Sequence, residues 1–530
     1  MIQIRTPRRS RLSADRSSEP DPSLPISGWE TLRDPVACLL LGVDDLLRWG
    51  LRTATIVGAT QASANEIDRL RRQRLSALVG CARHRSPLYA ERLAGLPDDA
   101  PLERLPITSR EHLMGDFDRW VTDPQLQLDE IREFIADPSR IGEPYLGRYA
   151  IWTSSGTSGI PGIYVIDADA LAVYEALSST RSACGVAGPT LWQAMLGGSR
   201  IAMVAATSGH FAGIATWERM RRLHPWLGLT ARAFSILEPI DRLVAALNDW
   251  QPAMLSSYPS LLTLLAEEQA AGRLQIAPQL LMSGGETLPA AQAHWLAERF
   301  GCPVRDEYGA SECMNMAFSC GEGNLHLNAD WVILEPVDDR GRPVPPGEPS
   351  ADVLLTNLCN HVQPILRYPL GDRVTLLPGR CECGCPLPRL RVSGRHDDVL
   401  QLPDQTGREI RILPLALETL IEELGDVGSF QVRQTAADRL SIRLQTDPSI
   451  DRATLWTALQ ARLARWLALQ GVHARLELDP EPPAVDPRTG KLRRVIARPA
   501  AQEAIRRTAP LAGRARPRRS PGSGSHSAGR

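Results

Sequence analysis

The chain has 530 residues, with 60 basic and 61 acidic side chains and a formal net charge of −1. Near-neutrality excludes a globally basic nucleic-acid binder, and 43% apolar against 23% charged residues excludes a wholly disordered or collagen-like chain. At roughly 150 residues per domain the length predicts three or four units, with ample chain to bury a large core.

Residues 1–26 are polar, with Pro and Arg, and are expected to form a disordered tail; no apolar core follows their arginines, so they are not a signal peptide. Val36–Leu47 is the best membrane candidate. Asp44 and Asp45 interrupt it, and it is far short of the roughly 20 apolar residues a span needs. A soluble cytoplasmic protein with no membrane partner is expected. Residues 63–94 place Ile67, Leu70, Leu75, Leu78 and Val79 at spacings that predict a helix, and 168–186 and 241–272 are also expected to be helical. Short apolar runs at 201–206, 253–258, 279–285 and 353–358 alternate with these stretches, which predicts parallel α/β layers. From Ala329 to Leu377 strands and turns dominate, including DDRGRPVPPGE, so a β-rich portion follows. After Leu413 the pattern predicts a helix (414–424), strands (429–445), a helix (451–469) and a strand (472–478). No repeat of fixed period is present. The expected organisation is a large α/β domain (27–396) of layered subdomains plus the β-rich portion, then a small mobile α+β domain (397–505). The basic tail 506–530 carries Arg514, Arg516, Arg518 and Arg519 with no acid, and is expected to be a solvated extension rather than a tether.

Every basic residue but one is Arg; the exception is Lys491. It lies in Pro487-Arg-Thr-Gly-Lys491, a Pro/Gly-rich stretch that leaves the side chain free to reach, and a compact ammonium on a thin stem differs from a planar guanidinium. Other segments also carry chemistry. Trp152-Thr-Ser-Ser-Gly-Thr-Ser-Gly-Ile-Pro-Gly162 has the small hydroxyl and Gly residues that let backbone N–H groups approach an anion, without the spacing or Lys of a Walker A loop. Ser283-Gly-Gly-Glu286 and Asp306-Glu-Tyr-Gly-Ala-Ser-Glu312 follow apolar runs and are expected as strand-to-loop transitions, where open α/β sheets place ligands. Tyr308 can stack on a purine, and Glu312 can hold Mg²⁺ through carboxylate oxygens. Leu366-Arg-Tyr-Pro-Leu-Gly-Asp372 and Ser393-Gly-Arg-His-Asp-Asp398 follow.

The order of these motifs resembles the adenylate-forming (AMP-binding) superfamily, and most closely its phenylacetate–CoA ligase family, from about Arg71 to Ile496. LVGCARHRSPLYAERL and LPITSREHLMGDFDRWVTDP extend the likeness into the N-terminal part. The resemblance implies an ATP-dependent acid–thiol ligase that forms an acyl-adenylate. It places Ser154, Ser155, Gly156, Thr157, Ser158 and Gly159 on the phosphate loop, and Gly284, Gly285, Glu286, Glu307, Tyr308 and Gly309 on the adenine wall. It places Glu312 on the Mg²⁺-holding acid, Asp372 and Arg395 on the ribose contacts, Asp397 on the inter-domain hinge, and Lys491 on the mobile Lys of adenylation. It further implies a small, aromatic carboxylic acid as substrate and coenzyme A as co-substrate, and a homodimer would be in keeping with it. The loop ends Pro161-Gly162 where the superfamily often has Pro-Lys. After the hinge the chain reads LQLPDQTGREIRILP instead of a short Gly turn, which leaves open whether the acceptor is coenzyme A, the phosphopantetheine of a carrier protein, or an amine. A non-catalytic nucleotide-binding homologue is the alternative of a different class.

Cys381-Glu-Cys383-Gly-Cys385 and the upstream Cys320 and His326 offer soft thiolates and an imidazole, a tetrahedral Zn²⁺ set, and some members of the family resemble this arrangement. Cys320, His326, Cys381 and Cys383 are the expected ligands of a structural zinc, with Cys385 spare. Cys302, Cys313 and Cys359 are expected as packed thiols. His210, in ATSGHFAG, and Tyr258, in SSYPS, are candidates for the acid pocket, and His396 beside the hinge is expected to be exposed. No G-x-S-x-G elbow supports a serine nucleophile.

Overall fold

Three of the short apolar runs, 201–206, 253–258 and 279–285, enter one nine-stranded sheet, whereas the run 353–358, expected in parallel layers, joins a separate antiparallel sheet. The computed structural model describes residues 35–97, 99–154, 162–182, 199–393, 399–424, 427–446, 450–484 and 492–498. The tails 1–26 and 506–530 lie outside the described residues.

Half of the sheet is parallel. Its strands stand side by side in the order Ala231–Ser235, Ile201–Ala205, Met254–Ser257, Leu280–Gly284 and Val304–Ala310. Ile201–Ala205 is buried along its whole length, as expected of a strand covered on both faces. The helices Ala212–Leu223, Ile240–Trp250, Pro259–Ala270 and Ala290–Phe300 connect these strands. The chain steps from Ile201–Ala205 to the sheet edge at Ala231–Ser235, then returns to the other flank at Met254–Ser257. That reversal is a topological switch point, where the carboxyl ends of the strands leave a crevice.

The other half is antiparallel: Cys313–Ser319, Leu325–Leu327, Arg389–Ser393 and Arg373–Leu377. A three-stranded sheet of Val332–Val337, Asp352–Asn357 and Ile365–Pro369 stands apart from it, so the stretch 329–377 is β-rich as expected. The α+β pattern after Leu413 is also found. Pro414–Glu422 and Arg452–Leu469 are helices, and Arg475–Asp479, Arg439–Gln445, Ser429–Ala436 and Val495–Ile496 form a four-stranded sheet in that order. This unit packs on the 231–270 flank: Trp466 Nε1 and Gln470 Nε2 both donate to Leu237 O (2.9 Å each), and Arg411 pairs with Glu267 at 2.6 Å.

Three expectations need correction. The stretch 241–272 is not one helix: Gln251 takes a left-handed conformation, and Met254–Ser257 forms a strand before Pro259 starts the next helix. The helix over 63–94 is two, because Ser86 ends Ala64–Arg85 and caps Pro87–Arg92, whose first residue lacks an N–H. The apolar run Val36–Leu47, expected not to span a membrane, lies in a long helix, Pro35–Thr60, that packs on Ala168–Leu177, with Ile56 and Ala59 buried; among the described residues no helix is long and apolar enough to cross a membrane. Asp306–Ala310 is strand rather than loop: Val304–Ala310 turns at Ser311 and Glu312 and returns as Cys313–Ser319. Gly309 permits that tight return, since a Cβ there would lie 1.6 Å from Met314 O.

Candidate active site

Ser154 closes the hydroxyl/Gly stretch at its base. Its N–H donates to Gly162 O (2.9 Å) and its Oγ accepts from Gly162 N (3.0 Å), so the ends of residues 155–161 are pinned together. Ser155, Gly156, Thr157, Ser158 and Gly159 lie outside the described residues. The strands Ala150–Thr153 and Ile163–Ile166 pair on either side of this closure. Trp152 Nε1 donates to Ser311 O (2.8 Å), which ties the stretch to the turn carrying Glu312.

Glu312 is 4% exposed, and one of its oxygens is fully engaged. Its Oε1 accepts from Tyr164 Oη (2.7 Å), Arg110 Nη2 (2.8 Å) and Tyr368 Oη (2.9 Å), while Asn357 Nδ2 donates to its backbone carbonyl (2.8 Å). Burial works against the Arg110 cation, but Tyr164, Glu312 and Tyr368 outweigh it and hold the guanidinium charged. Burial, reinforced by the Glu312 carboxylate, pushes both tyrosine hydroxyls well up, so they remain protonated donors. Tyr308, on the strand leading to Glu312, donates from Oη to Asp372 Oδ2 (2.9 Å), which brings the YGASE and GD motifs together. The Gly371–Asp372 turn is held in place by Asp352, whose Oδ1 accepts from Gly371 N (2.8 Å).

The GGE motif forms the neighbouring wall. Gly284 stands in register with Glu307, and Gly285 has a positive φ of 79° with Tyr258 against it; a Cβ there would come within 3.0 Å of the ring. Glu286 points back to cap Pro259–Ala270, accepting from Ser260 N (2.9 Å) and Ser260 Oγ (2.8 Å). Desolvation raises the carboxyl of half-buried Glu307, which accepts from Ser178 Oγ (2.9 Å). Tyr258 precedes that helix at the carboxyl end of Met254–Ser257, with Ala206 N donating to its Oη (3.4 Å). His210 is 4% exposed, its ring 5.6 Å from that of Phe134 and its Nε2 3.3 Å from Asp137 O; burial lowers its pKa and keeps it neutral. Arg395, His396, Asp397 and Lys491 lie outside the described residues.

Sequence reasoning assigned no role to Arg110, Tyr164, Tyr368 or Asp306. Arg110 lies in the quoted stretch LPITSREHL, and Tyr368 four residues before Asp372, but nothing local says that both aim at Glu312. Asp306 stands in register with Ser283. Its Oδ1 is buried without a hydrogen-bond partner among the described residues, and burial pushes its carboxyl up to about 7.

Below this site, on the antiparallel half of the sheet, Cys320, His326, Cys381 and Cys383 converge, their ligand atoms all within 4.8 Å of one another. Cys320 Sγ and Cys381 Sγ are 3.8 Å apart, far beyond the ~2.05 Å of a disulfide. Cys383 Sγ lies 3.4 Å from His326 Nε2. His326 Nδ1 donates to Leu387 O (2.9 Å), which turns Nε2 toward the thiols. Cys385 stands aside, its backbone N–H donating to Cys383 Sγ (3.4 Å). Cys302, Cys313 and Cys359 are buried free thiols, as expected.

Residues 154–354 match the AMP-binding enzyme family. The chain is similar to that family over those residues. Its relatives include the phenylacetate-coenzyme A ligase of Thermus thermophilus, 27% identical over 285 residues, which are 48% of this chain and 62% of that protein. The phenylacetate-coenzyme A ligase of Escherichia coli is 29% identical over 226 residues, 39% of this chain and 49% of that one. The chain thus spans about half to three fifths of the length of these curated relatives. Among solved structures, a 2-hydroxyisobutyryl-CoA ligase in complex with 2-HIB-AMP and CoA aligns with a TM-score of 0.47 and 23% identity, covering 85% of this chain and 94% of that one.

Proposed function

We propose that this protein activates a small carboxylic acid with ATP and transfers the acyl group to a thiol, as an acid–thiol ligase. The observation that carries the reading is that three separate motifs are joined by hydrogen bonds: Tyr308 to Asp372, and Trp152, beside Ser154, to the turn that carries Glu312. A carboxylate oxygen attacks the α-phosphorus of ATP, the bond to the bridging β-oxygen breaks, and pyrophosphate leaves. Two anions meet in this step, so positive charge must be concentrated where they react. Lys491 is proposed to supply it by bridging the attacking carboxylate and the α-phosphate. The wall around Gly284, Gly285, Glu286, Glu307 and Gly309 would receive the adenine, with Tyr308 stacking on it and the buried acceptor of Asp306 facing its amino group. Asp372, with Arg395, would accept the ribose hydroxyls, and Ser154–Gly159 would receive the phosphates.

Glu312 fits a Mg²⁺ ligand: three donors engage Oε1, and no hydrogen bond to Oε2 occurs among the described residues. Bound there, Mg²⁺ would neutralise phosphate charge. A structural Zn²⁺ is proposed for Cys320, His326, Cys381 and Cys383. Ideal tetrahedral bonds of ~2.3 Å to sulfur and ~2.05 Å to nitrogen put S···S near ~3.8 Å and S···N near ~3.5 Å. The observed 3.8 Å and 3.4 Å agree.

For the acid, an apolar cluster beside the crevice supports a small aromatic substrate: Met203, Ala205 and Ile214, with Phe211 and Tyr258 against them. His210 adjoins Phe211. Coenzyme A is the favoured acceptor, by kinship with the ligases above; a carrier-protein phosphopantetheine or an amine is the second reading, favoured by the hairpin Leu400–Pro403 with Glu409–Ile412 that replaces a short turn. The small domain is proposed to begin near 397 and to turn about Asp397 between the two half-reactions. The eight free cysteines among the described residues fit a reducing compartment, the cytoplasm.

The test is pyrophosphate release from Mg·ATP with a panel of aryl and alkyl acids, followed by coenzyme A addition. Aryl-acid-dependent release that continues to a thioester supports the reading. Release without thioester moves the acceptor to a carrier or amine. ATP binding with no release for any acid sinks the catalytic reading.

A further inference from the structure

Arg367 holds a left-handed backbone conformation, with a φ of 48°. A residue with a side chain rarely adopts it, and it persists only where the surroundings over-determine it. Two sets of bonds do so here. In the pairing of Asp352–Asn357 with Ile365–Pro369, Leu355 faces Tyr368 and Asn357 faces Ile365, which leaves Leu366 and Arg367 opposite the single residue Thr356. Arg367 N donates to Thr356 Oγ1 (3.0 Å) and fixes this bulge. The guanidinium, 7% exposed, is engaged at all three nitrogens. Nε donates to Glu335 Oε2 (3.1 Å), Nη2 pairs with Glu335 Oε1 (3.0 Å), and Nη1 donates to Glu103 O (2.8 Å) and Leu105 O (2.9 Å). The pieces of chain held in this way carry the donors of Glu312. Tyr368, directly after the bulge, donates from Oη to Glu312 Oε1 (2.9 Å). Arg110, shortly after the two bonded carbonyls, donates from Nη2 to the same oxygen (2.8 Å) and from Nε to Tyr368 Oη (2.9 Å). Asn357, across the bulge, donates to Glu312 O (2.8 Å). Bulges recur beside active sites because they re-aim a side chain.

We propose that Arg367 is a positioning residue for Glu312. It fixes the bulge and the segment 103–105 against each other, so that Tyr368 and Arg110 meet at Oε1 and Oε2 is left for the cation. The inference rests on the assignment of Mg²⁺ to Glu312 above. A planar fork is required, because one guanidinium spans a carboxylate and two carbonyls; a lysine ammonium keeps the charge beside Glu335 but not the span.

The experiment measures ATP binding by calorimetry as Mg²⁺ is varied, well below the thermal midpoint of each variant. The main variant combines Arg367→Gly with Glu335→Gln. Glycine accepts the left-handed backbone, and the second change avoids a buried carboxylate stripped of its partner. The Mg²⁺ needed for half-maximal ATP binding should rise about 10-fold, the lower end of the loss when the group behind a metal ligand is removed. Arg367→Lys should fall between this variant and the unaltered chain. The decisive arm repeats both changes on a Glu312→Gln background. A residue that acts through Glu312 has nothing left to position there, so the further shift should be less than about 2-fold. A merely structural role would lower stability on both backgrounds and leave the Mg²⁺ dependence of the folded molecules alone. If the main variant does not fold, Arg367→Lys with and without Glu312→Gln makes the same comparison. An unshifted Mg²⁺ dependence, or an equal shift with and without the Glu312 carboxylate, would overturn the proposal. Glu312→Gln alone checks the premise: if it leaves the Mg²⁺ dependence unchanged, the assignment of the cation to Glu312 has failed rather than the role of Arg367.

Discussion

The two halves of the nine-stranded sheet solve different problems. At the carboxyl ends of the parallel half, polar side chains from distant segments are wired to one another: Glu312 by Arg110, Tyr164 and Tyr368, and Asp372 by Tyr308. On the antiparallel half, three thiols and an imidazole face one another across 4.8 Å or less. Under the proposed function, the first arrangement would serve an anionic ligand that arrives and leaves, and the second, a set of electron-pair donors, would hold a cation. One hydrogen-bonded sheet would then carry a site proposed to turn over beside a site proposed only to hold.

If the antiparallel half only holds, removing a ligand should abolish metal binding and spare the chemistry of whatever remains folded. Cys381→Ser should take zinc from one equivalent to none by elemental analysis and lower stability by several kcal/mol, since metal binding free energy is folding free energy. Activity per folded molecule should stay within a few-fold. A proportionate loss of kcat in the folded fraction would make the two sites one.

The wiring of Glu312 should be costly to cut from either end. Arg110→Met leaves a buried carboxylate with only two hydroxyl donors, and should cost about 3 kcal/mol by denaturant unfolding. The same change on a Glu312→Gln background should cost much less, and equal costs would show that the pair is not coupled. Glu312→Gln alone should lower pyrophosphate release on the order of 100-fold, with a shifted Mg²⁺ dependence. An unshifted Mg²⁺ titration would remove Glu312 from the cation.

The smallest effect is a pH dependence confined to the parallel half. Burial raises the Asp306 carboxyl to about 7, above its ordinary value of ~3.8. The folded state therefore keeps a proton that the unfolded state has released. This stabilisation is fully present below about pH 3.8 and is lost as pH rises through 7. Between pH 6 and 8 it should fall by about 1.4 kcal/mol, and Asp306→Asn should remove that slope. A slope unchanged in Asp306→Asn would assign the titration to another group.

Legibility in the sequence followed the same division. The thiol and imidazole cluster was readable because few other arrangements suit those side chains, and the structure gathers the four expected residues while leaving Cys385 aside. The motifs proposed for the nucleotide were readable in order along the chain. Their mutual bonds were not: Arg110 lies 202 residues from Glu312, and no local pattern encodes such a contact. Strand and helix content was readable where apolar periodicity was clean, as in Arg452–Leu469. It failed over 241–272, where the run AMLSSY continues the apolar pattern of the helix before it and only Gln251 and Pro259 mark the breaks. It also failed at Asp306–Ala310, where a polar strand reads like a loop until the return strand supplies its partners.

The most direct test of the central claim is exchange of labelled pyrophosphate into ATP in the presence of an activated acid, with Lys491→Ala beside the unaltered chain. Acid-dependent exchange that falls at least 100-fold in Lys491→Ala, with ATP still bound, is the result predicted for the proposed adenylate-forming site served by Lys491. Exchange of equal rate in both proteins would contradict it.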